Sequence, residues 1–208
     1  MLDRENIIFD LGGVLLDIFP EATFNALRDM GVGECFLTDG LNIRNDLLQG
    51  LECGSVSPED MYRAVAESMG TECTPSVRGR IKDAWCAMLG NASAEKLCSL
   101  RALREKGYKV FLLSNTNAVH WEAIENIVTA VEGRSLSDYF DGVYLSFEIH
   151  ACKPDVTIFE HLLAKEGINA ADCIFFDDSH DNCAAAATLG IKSYVVERNG
   201  PLPQWLMK

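Results

Sequence analysis

The chain has 208 residues, nearly half of them apolar, enough for one large domain or for a core domain carrying a smaller insertion. Its formal charge of −13 is spread along the chain, so the surface repels nucleic acid and anionic lipid, and any phosphate site must be built locally. No apolar run approaches the ~20 residues of a membrane span and the N-terminus lacks a basic-then-apolar leader, which leads us to expect a soluble cytoplasmic protein without membrane or nucleic-acid partners.

The first strand-like run, Ile7–Phe9, ends in Asp10, with Gly12 and Gly13 close behind. A carboxylate is thereby set at the mouth of a buried strand where the backbone can turn tightly. That suits a nucleophile or metal ligand, and equally an acidic turn residue. Residues 18–92 then show helical periodicity and no good strand, punctuated by Gly31, Gly33, Gly40, Gly54 and Gly70. They read as about four short helices, one opening at a Ser57 N-cap with Pro58 at the first helical position. A structureless loop of that length would be anomalous, so the segment is expected to be a helical cap inserted after the first strand.

Further strands are expected at Val110–Leu113, Val143–Leu145, Ile174–Phe176 and Ser193–Val196, and helices at Ser93–Lys106, Ala118–Val131, Val156–Glu166 and Asn182–Leu189. Short strands apolar on both faces and separated by helices make a doubly wound, Rossmann-like parallel sheet. The expected division is an α/β core of residues 1–17 and 93–208 with an all-helical cap at 18–92. The eight cysteines contain no Cys-x-x-Cys pair, which argues against structural zinc, and a disulfide framework is not expected.

Ligands of open α/β sheets bind where the carboxyl ends of the strands meet. Four polar positions fall there: Asp10, Ser114-Asn115-Thr116-Asn117, Lys153 and the pair Asp177-Asp178. A hydroxyl and free N–H groups at a strand-to-helix turn can bind phosphoryl oxygens as well as cap a helix. Lys153, just ahead of a helix N-terminus, is wrongly signed for the macrodipole, a conflict that an anion between them removes. Asp177 and Asp178 alternate to opposite sides of their strand, and carboxylates near Asp10 repel unless a cation lies between them. Hard oxygen ligands favour Mg²⁺. Asn182 can hydrogen-bond back into the same loop.

Taken together, Asp-Leu-Gly-Gly-Val after strand one, Leu-Leu-Ser-Asn-Thr-Asn after strand two, the lysine of Cys-Lys-Pro-Asp, and Phe-Phe-Asp-Asp-Ser-His-Asp-Asn resemble the haloacid dehalogenase-like hydrolase superfamily. The resemblance covers essentially the whole chain, and the insertion falls where the phosphatase branch carries a small helical cap. It implies that Asp10 is the nucleophile, taking the phosphoryl group as an aspartyl-phosphate. Ser114 and the Asn115 N–H would hold the transferring oxygens, with Gly12, Gly13 and Lys153 completing the phosphate site. Asp10, Asp178 and the Gly12 carbonyl would ligate Mg²⁺, and Asp177 and Asn182 would orient these groups. The implied activity is Mg²⁺-dependent hydrolysis of a small phosphorylated metabolite, such as a sugar phosphate.

Most phosphatases of this superfamily have a second Asp two residues after the nucleophile as general acid and base, and here that position is Gly12. Three explanations stay open: a leaving group needing little protonation, an acid supplied by the substrate or the cap, or phosphate binding without turnover. Asp17, His150 and His180 are the nearest acids in sequence. The competing activities are a metal-independent dehalogenase, disfavoured by the paired acids, and a phosphate-binding scaffold, disfavoured by the joint presence of Asp10, Ser114, Lys153 and Asp178. Phe19, Arg44 and Trp85 are the candidates for cap residues facing the substrate. Oligomeric state is not legible.

Overall fold

The structure, a computed structural model, describes residues 4–33, 37–38, 42–43 and 45–207. The chain begins with β1 (Asn6–Phe9) and β2 (Leu16–Ile18), then passes through α1 (Pro20–Asp29), β3 (Leu37–Thr38), β4 (Asn42–Ile43), α2 (Asn45–Glu52), α3 (Pro58–Ser68) and α4 (Pro75–Cys86). It returns by β5 (Leu89–Ala92) into α5 (Ala94–Glu105), β6 (Lys109–Ser114), α6 (Ala118–Glu132) and β7 (Gly142–Leu145). The remainder comprises α7 (Ser146–Ile149), α8 (Val156–Glu166), β8 (Cys173–Asp177), α9 (His180–Thr188) and β9 (Lys192–Val195).

Strands β7-β6-β1-β8-β9 form one sheet, with every neighbouring pair parallel. The three central strands β1, β6 and β8 bury both faces, because alternate residues feed two separate apolar layers. Ile7, Phe9, Val110, Leu112, Ile174 and Phe176 pack with α5 and α6, while Ile8, Phe111, Leu113 and Phe175 pack with α8 and α9. These are the five strands expected from the apolar runs.

The register decides where the chemistry sits. Phe9 pairs with both Leu112 and Phe176. Asp10, Leu113 and Asp177 therefore occupy the next row, at the carboxyl edge of three adjacent strands.

Helices α1–α4 surround a second apolar cluster that includes Leu27, Leu51, Met61, Val65, Ile81 and Trp85, joined by Val119 of α6. The Ser57 hydroxyl accepts from the Asp60 N–H at 3.2 Å, and Pro58 opens α3 as expected. Two features depart from the expectations. Residues 18–92 are not wholly helical, since β2 and β5 pair antiparallel at the entry and exit of the insertion and β3 pairs with β4. Gly90 allows the closer ribbon, because a Cβ there would lie 2.7 Å from the Asp17 carbonyl. Cys53 and Cys152 form a disulfide across 99 residues with a Cα–Cα distance of 5.8 Å, contrary to the expectation of none. Cys173 and Cys183 are buried, as small apolar residues would be, and burial pushes both thiols up to about 11. Among the described residues no helix is long and apolar enough to cross a membrane.

Candidate active site

Lys153 organises the site. Its ammonium donates to Asp10 Oδ1 at 2.6 Å, to Asp177 Oδ2 at 2.8 Å and to the Leu113 carbonyl at 2.8 Å. One residue thus uses all three of its donors on the ends of β1, β8 and β6. Its side chain is 1 % exposed, so these bonds operate out of water. Burial works against charge on Lys153, but Asp10 and Asp177 outweigh it and hold the ammonium above its usual range. Asn115 fixes the lysine backbone from the neighbouring loop: its Nδ2 donates to the Lys153 carbonyl at 2.8 Å and its Oδ1 accepts from the Lys153 N–H at 2.8 Å.

Asp10 is held by its place in the sheet, its N–H donating to the Phe176 carbonyl at 2.9 Å. Burial pushes its carboxyl up to about 6, with Lys153 opposing and Asp177 reinforcing the shift. Asp177 is fully buried and fully engaged. Beyond Lys153, it accepts from the Ser179 N–H at 2.8 Å and from Asn182 Nδ2 at 3.1 and 3.0 Å. Asn182 therefore supports Asp177, as its spacing suggested. Asp178 turns the other way, onto the cavity, where its Oδ2 accepts from Arg198 Nε at 2.5 Å. Arg198 had no signal in the sequence, because it follows β9 and reaches the site only through the sheet order.

The carboxylates of Asp10, Asp177 and Asp178 offer oxygens that all lie within 4.8 Å of one another. Asp177 is committed to Lys153, Ser179 and Asn182, whereas Asp10 and Asp178 each keep an oxygen outside their ion pair, beside Gly12 on the cavity wall. Three carboxylates face only the two cations Lys153 and Arg198, and the excess negative charge, with hard oxygens outside those ion pairs, fits Mg²⁺.

A cavity of about 570 Å³ opens above this edge, within the size range of small-molecule sites. Asp10, Gly12, Ser114, Asn115, Lys153, Asp178 and Asn182 line its floor. Phe24, Leu48, Glu52, Trp85, Met88 and Leu89 line the wall made by the insertion. Trp85 thus faces the cavity as expected, Phe19 is 50 % exposed and does not, and Arg44 lies outside the described residues. Gly13 is corrected. Its N–H donates to the Leu16 carbonyl at 2.7 Å, so that donor is spent within the turn, and its φ of +81° lets Asp178 approach where a Cβ would meet Oδ2 at 2.8 Å. Gly13 makes room for the acid and does not line the cavity.

None of the three sequence candidates for a proton donor reaches the cavity. Asp17 pairs with Lys96 at 3.5 Å and leaves α1 without a side-chain cap. His150 and His180 are exposed on the surface. The acid that does line the cavity, Glu52, carried no motif. His120 also lines it unannounced, but Nε2 donates to the Trp85 carbonyl at 3.0 Å and Nδ1 accepts from Asn117 Nδ2 at 3.2 Å. Burial lowers this imidazole to about 4 and keeps it neutral.

Comparison with known proteins follows the same lines. Residues 93–190 match the family model of haloacid dehalogenase-like hydrolases. A D-ribitol-5-phosphate phosphatase of Bacteroides thetaiotaomicron is 28 % identical over 204 residues, covering 97 % of this chain and 96 % of that protein. A sesquiterpene phosphatase of Aspergillus oryzae is 28 % identical over 185 residues, covering 88 % and 85 %. A crystal structure of a haloacid dehalogenase family enzyme from Bacteroides thetaiotaomicron, in complex with magnesium and inorganic phosphate, superposes with a TM-score of 0.87 at 31 % identity, covering 99 % of this chain and 100 % of that one.

Proposed function

The chain belongs to the haloacid dehalogenase-like hydrolase superfamily and is a phosphatase within it, and from that premise we propose that it hydrolyses a small phosphorylated metabolite through an aspartyl-phosphate on Asp10. The observation that carries this reading is the buried Lys153 ammonium joining Asp10 to Asp177 beneath a cavity with Asp178 on its rim. Such an arrangement holds an ionised nucleophile at the floor of a cavity, and with Mg²⁺ on Asp10 and Asp178 it would accept a phosphoryl group there.

Asp10 attacks phosphorus as the bond to the leaving oxygen breaks. Lys153 holds the carboxylate in place and offsets the charge that the phosphoryl group brings. Ser114, buried at the end of β6 and lining the cavity, and the Asn115 N–H hold the non-bridging oxygens. Asn115 contributes a second time by clamping the Lys153 backbone, and Asn182 orients Asp177 so that the lysine stays between the two acids. Mg²⁺, the cofactor, would be held by Asp10, Asp178 and the Gly12 carbonyl, and supplies charge neutralisation at the phosphoryl group. Water then cleaves the aspartyl-phosphate and releases inorganic phosphate. Residues 18–92 act as the cap that reads the rest of the substrate, with 1–17 and 93–208 as the catalytic core.

Two substrate bodies are supported by different features. A sugar or polyol phosphate agrees with the small cavity and with the D-ribitol-5-phosphate phosphatase relative. The apolar run Phe24, Leu48, Trp85, Met88 and Leu89 on the cap wall favours a less polar body, as the sesquiterpene phosphatase acts on. A panel of phosphorylated compounds, from pentitol and hexose phosphates to short prenyl monophosphates, assayed for phosphate release with and without Mg²⁺, decides between them. The proposal expects Mg²⁺-dependent turnover abolished by Asp10→Asn. Activity that survives either EDTA or this substitution overturns it.

A further inference from the structure

We propose that Glu52, reaching over from the inserted helices, is the general acid and base of the reaction in place of the aspartate that Gly12 lacks, an inference that rests on the phosphatase reading above. Glu52 is the last residue of α2 and lines the same cavity as Asp10, Ser114 and Lys153. The sheet edge supplies the floor and Glu52 stands in the wall made by the insertion. A phosphoryl group seated on Asp10 and Lys153 therefore directs its leaving oxygen toward that wall.

The backbone at Glu52 is tied to both loops that carry the phosphate site. Ser146 Oγ donates to the Glu52 carbonyl at 2.7 Å and accepts from the Thr116 N–H, two residues past Ser114, at 3.0 Å. The next residue, Cys53, is bonded to Cys152, the neighbour of Lys153. Gly54 then turns with φ +72°, where a Cβ would sit 2.2 Å from the Phe147 carbonyl, so the chain can press against α7 only as glycine. These ties fix the residue while leaving its carboxyl unengaged: among the described residues no side chain hydrogen-bonds it.

The alternatives in the cavity are spoken for. Both ring nitrogens of His120 are engaged, Asp178 pairs with Arg198, and Glu21 is exposed. The charged groups acting on Glu52 are Lys153 and Asp10, while His150, on the segment after α7, is placed with its Nδ1 3.2 Å from the Cys53 carbonyl. Burial pushes the Glu52 carboxyl up to about 7, Lys153 opposing and Asp10 adding to the rise, so both protonation states are accessible near neutral pH.

In the first step the Asp10–phosphorus bond forms, the bond from phosphorus to the leaving oxygen breaks, and that oxygen takes the Glu52 proton to leave as an alcohol. In the second, the Glu52 carboxylate takes a proton from water as its oxygen bonds to phosphorus and Asp10 departs. Inorganic phosphate is released and Glu52 is protonated again.

The test compares wild type, Glu52→Gln and Glu52→Gln with Gly12→Asp on p-nitrophenyl phosphate and on an alkyl phosphate, in Mg²⁺ and across pH. The single variant is expected to lose ~10²-fold or more in kcat/KM on the alkyl ester, ~10-fold or less on the nitrophenyl ester, and the wild-type fall of kcat/KM at high pH. Gly12→Asp is expected to restore part of the alkyl activity, since a Cβ at Gly12 meets only Ile18 side-chain atoms at 3.4 Å. Equal losses on both esters with an unchanged pH profile, or no loss on the alkyl ester, would overturn the assignment. If Glu52→Gln is unfolded by circular dichroism, Glu52→Asp decides instead, expected to keep the high-pH fall and the leaving-group pattern at reduced rate. Wild type that releases no phosphate in Mg²⁺ overturns the phosphatase reading itself, a result visible before any variant is made.

Discussion

Lys153 shows how far one residue can carry a site. Its three bonds hold Asp10, Asp177 and Leu113 together at the carboxyl edge of the sheet, and its side chain is 1 % exposed. Removing one partner of a buried pair leaves the other charge uncompensated, which costs about 3–5 kcal/mol. Lys153→Met is therefore expected to unfold at lower urea concentration by about that free energy, and to release phosphate at least ~10³-fold more slowly. Lys153→Arg is expected to recover little activity, because a planar guanidinium cannot direct donors at three acceptors that surround one nitrogen. Stability and rate close to wild type in Lys153→Met would contradict this account. At this scale Asp10, Ser114, Lys153 and Asp178 were each ambiguous alone and became legible only together, as four motifs in the order and spacing of one superfamily. The sequence was silent on Glu52, which ends a cap helix, and on Arg198, whose meeting with Asp178 depends on β9 lying beside β8.

The elements that position the site are joined at two places. His120, in the first turn of α6, donates from Nε2 to the Trp85 carbonyl of α4, tying core to insertion. Its folded value of about 4 lies below the ordinary 6.5, so its contribution to stability is fully present above 6.5 and is lost as pH falls toward 4. The shift corresponds to about 3 kcal/mol. Between pH 7.5 and 4.5, urea unfolding of wild type is expected to lose about 2–3 kcal/mol more than that of His120→Gln. Asp10 and Glu52, whose carboxyls are raised, act in the opposite direction in both proteins and cancel in the difference. Equal losses in the two proteins would sink the interpretation. The second joint is the Cys53–Cys152 disulfide between the end of α2 and the loop before Lys153. Dithiothreitol, or Cys53→Ala with Cys152→Ala, is expected to lower stability by about 2–4 kcal/mol. A melting temperature unmoved by reduction would show that the bond constrains nothing. The large elements were legible because β1, β6 and β8 are apolar runs ended by polar residues, and α3 is announced by Ser57-Pro58. The β2–β5 ribbon was not, since three or four residues such as Leu89-Gly90-Asn91-Ala92 carry no period to read.

Across the whole molecule, a parallel sheet brings four dispersed motifs to one edge, and an insertion of mostly helical structure closes a cavity over them. Charge follows the same division. The chain is strongly acidic overall, with a net charge of −13, so under the proposed mechanism the positive charge that offsets a phosphate is local, from the buried Lys153 and Mg²⁺, and not from a basic surface. The core was legible because local sequence and global fold agree there. The cap wall was not, because which helix faces turn toward the floor depends on packing around Leu27, Met61 and Ile81 that no local pattern encodes. The central claim is that Asp10 carries the phosphoryl group, and the direct measurement is acid-quenched rapid mixing with a radiolabelled phosphate ester in Mg²⁺, followed by peptide mapping. The account predicts a transient label on the peptide containing Asp10, sensitive to hydroxylamine and absent from Asp10→Asn and from EDTA-treated enzyme. Steady phosphate release with no label on that peptide at any time would contradict it.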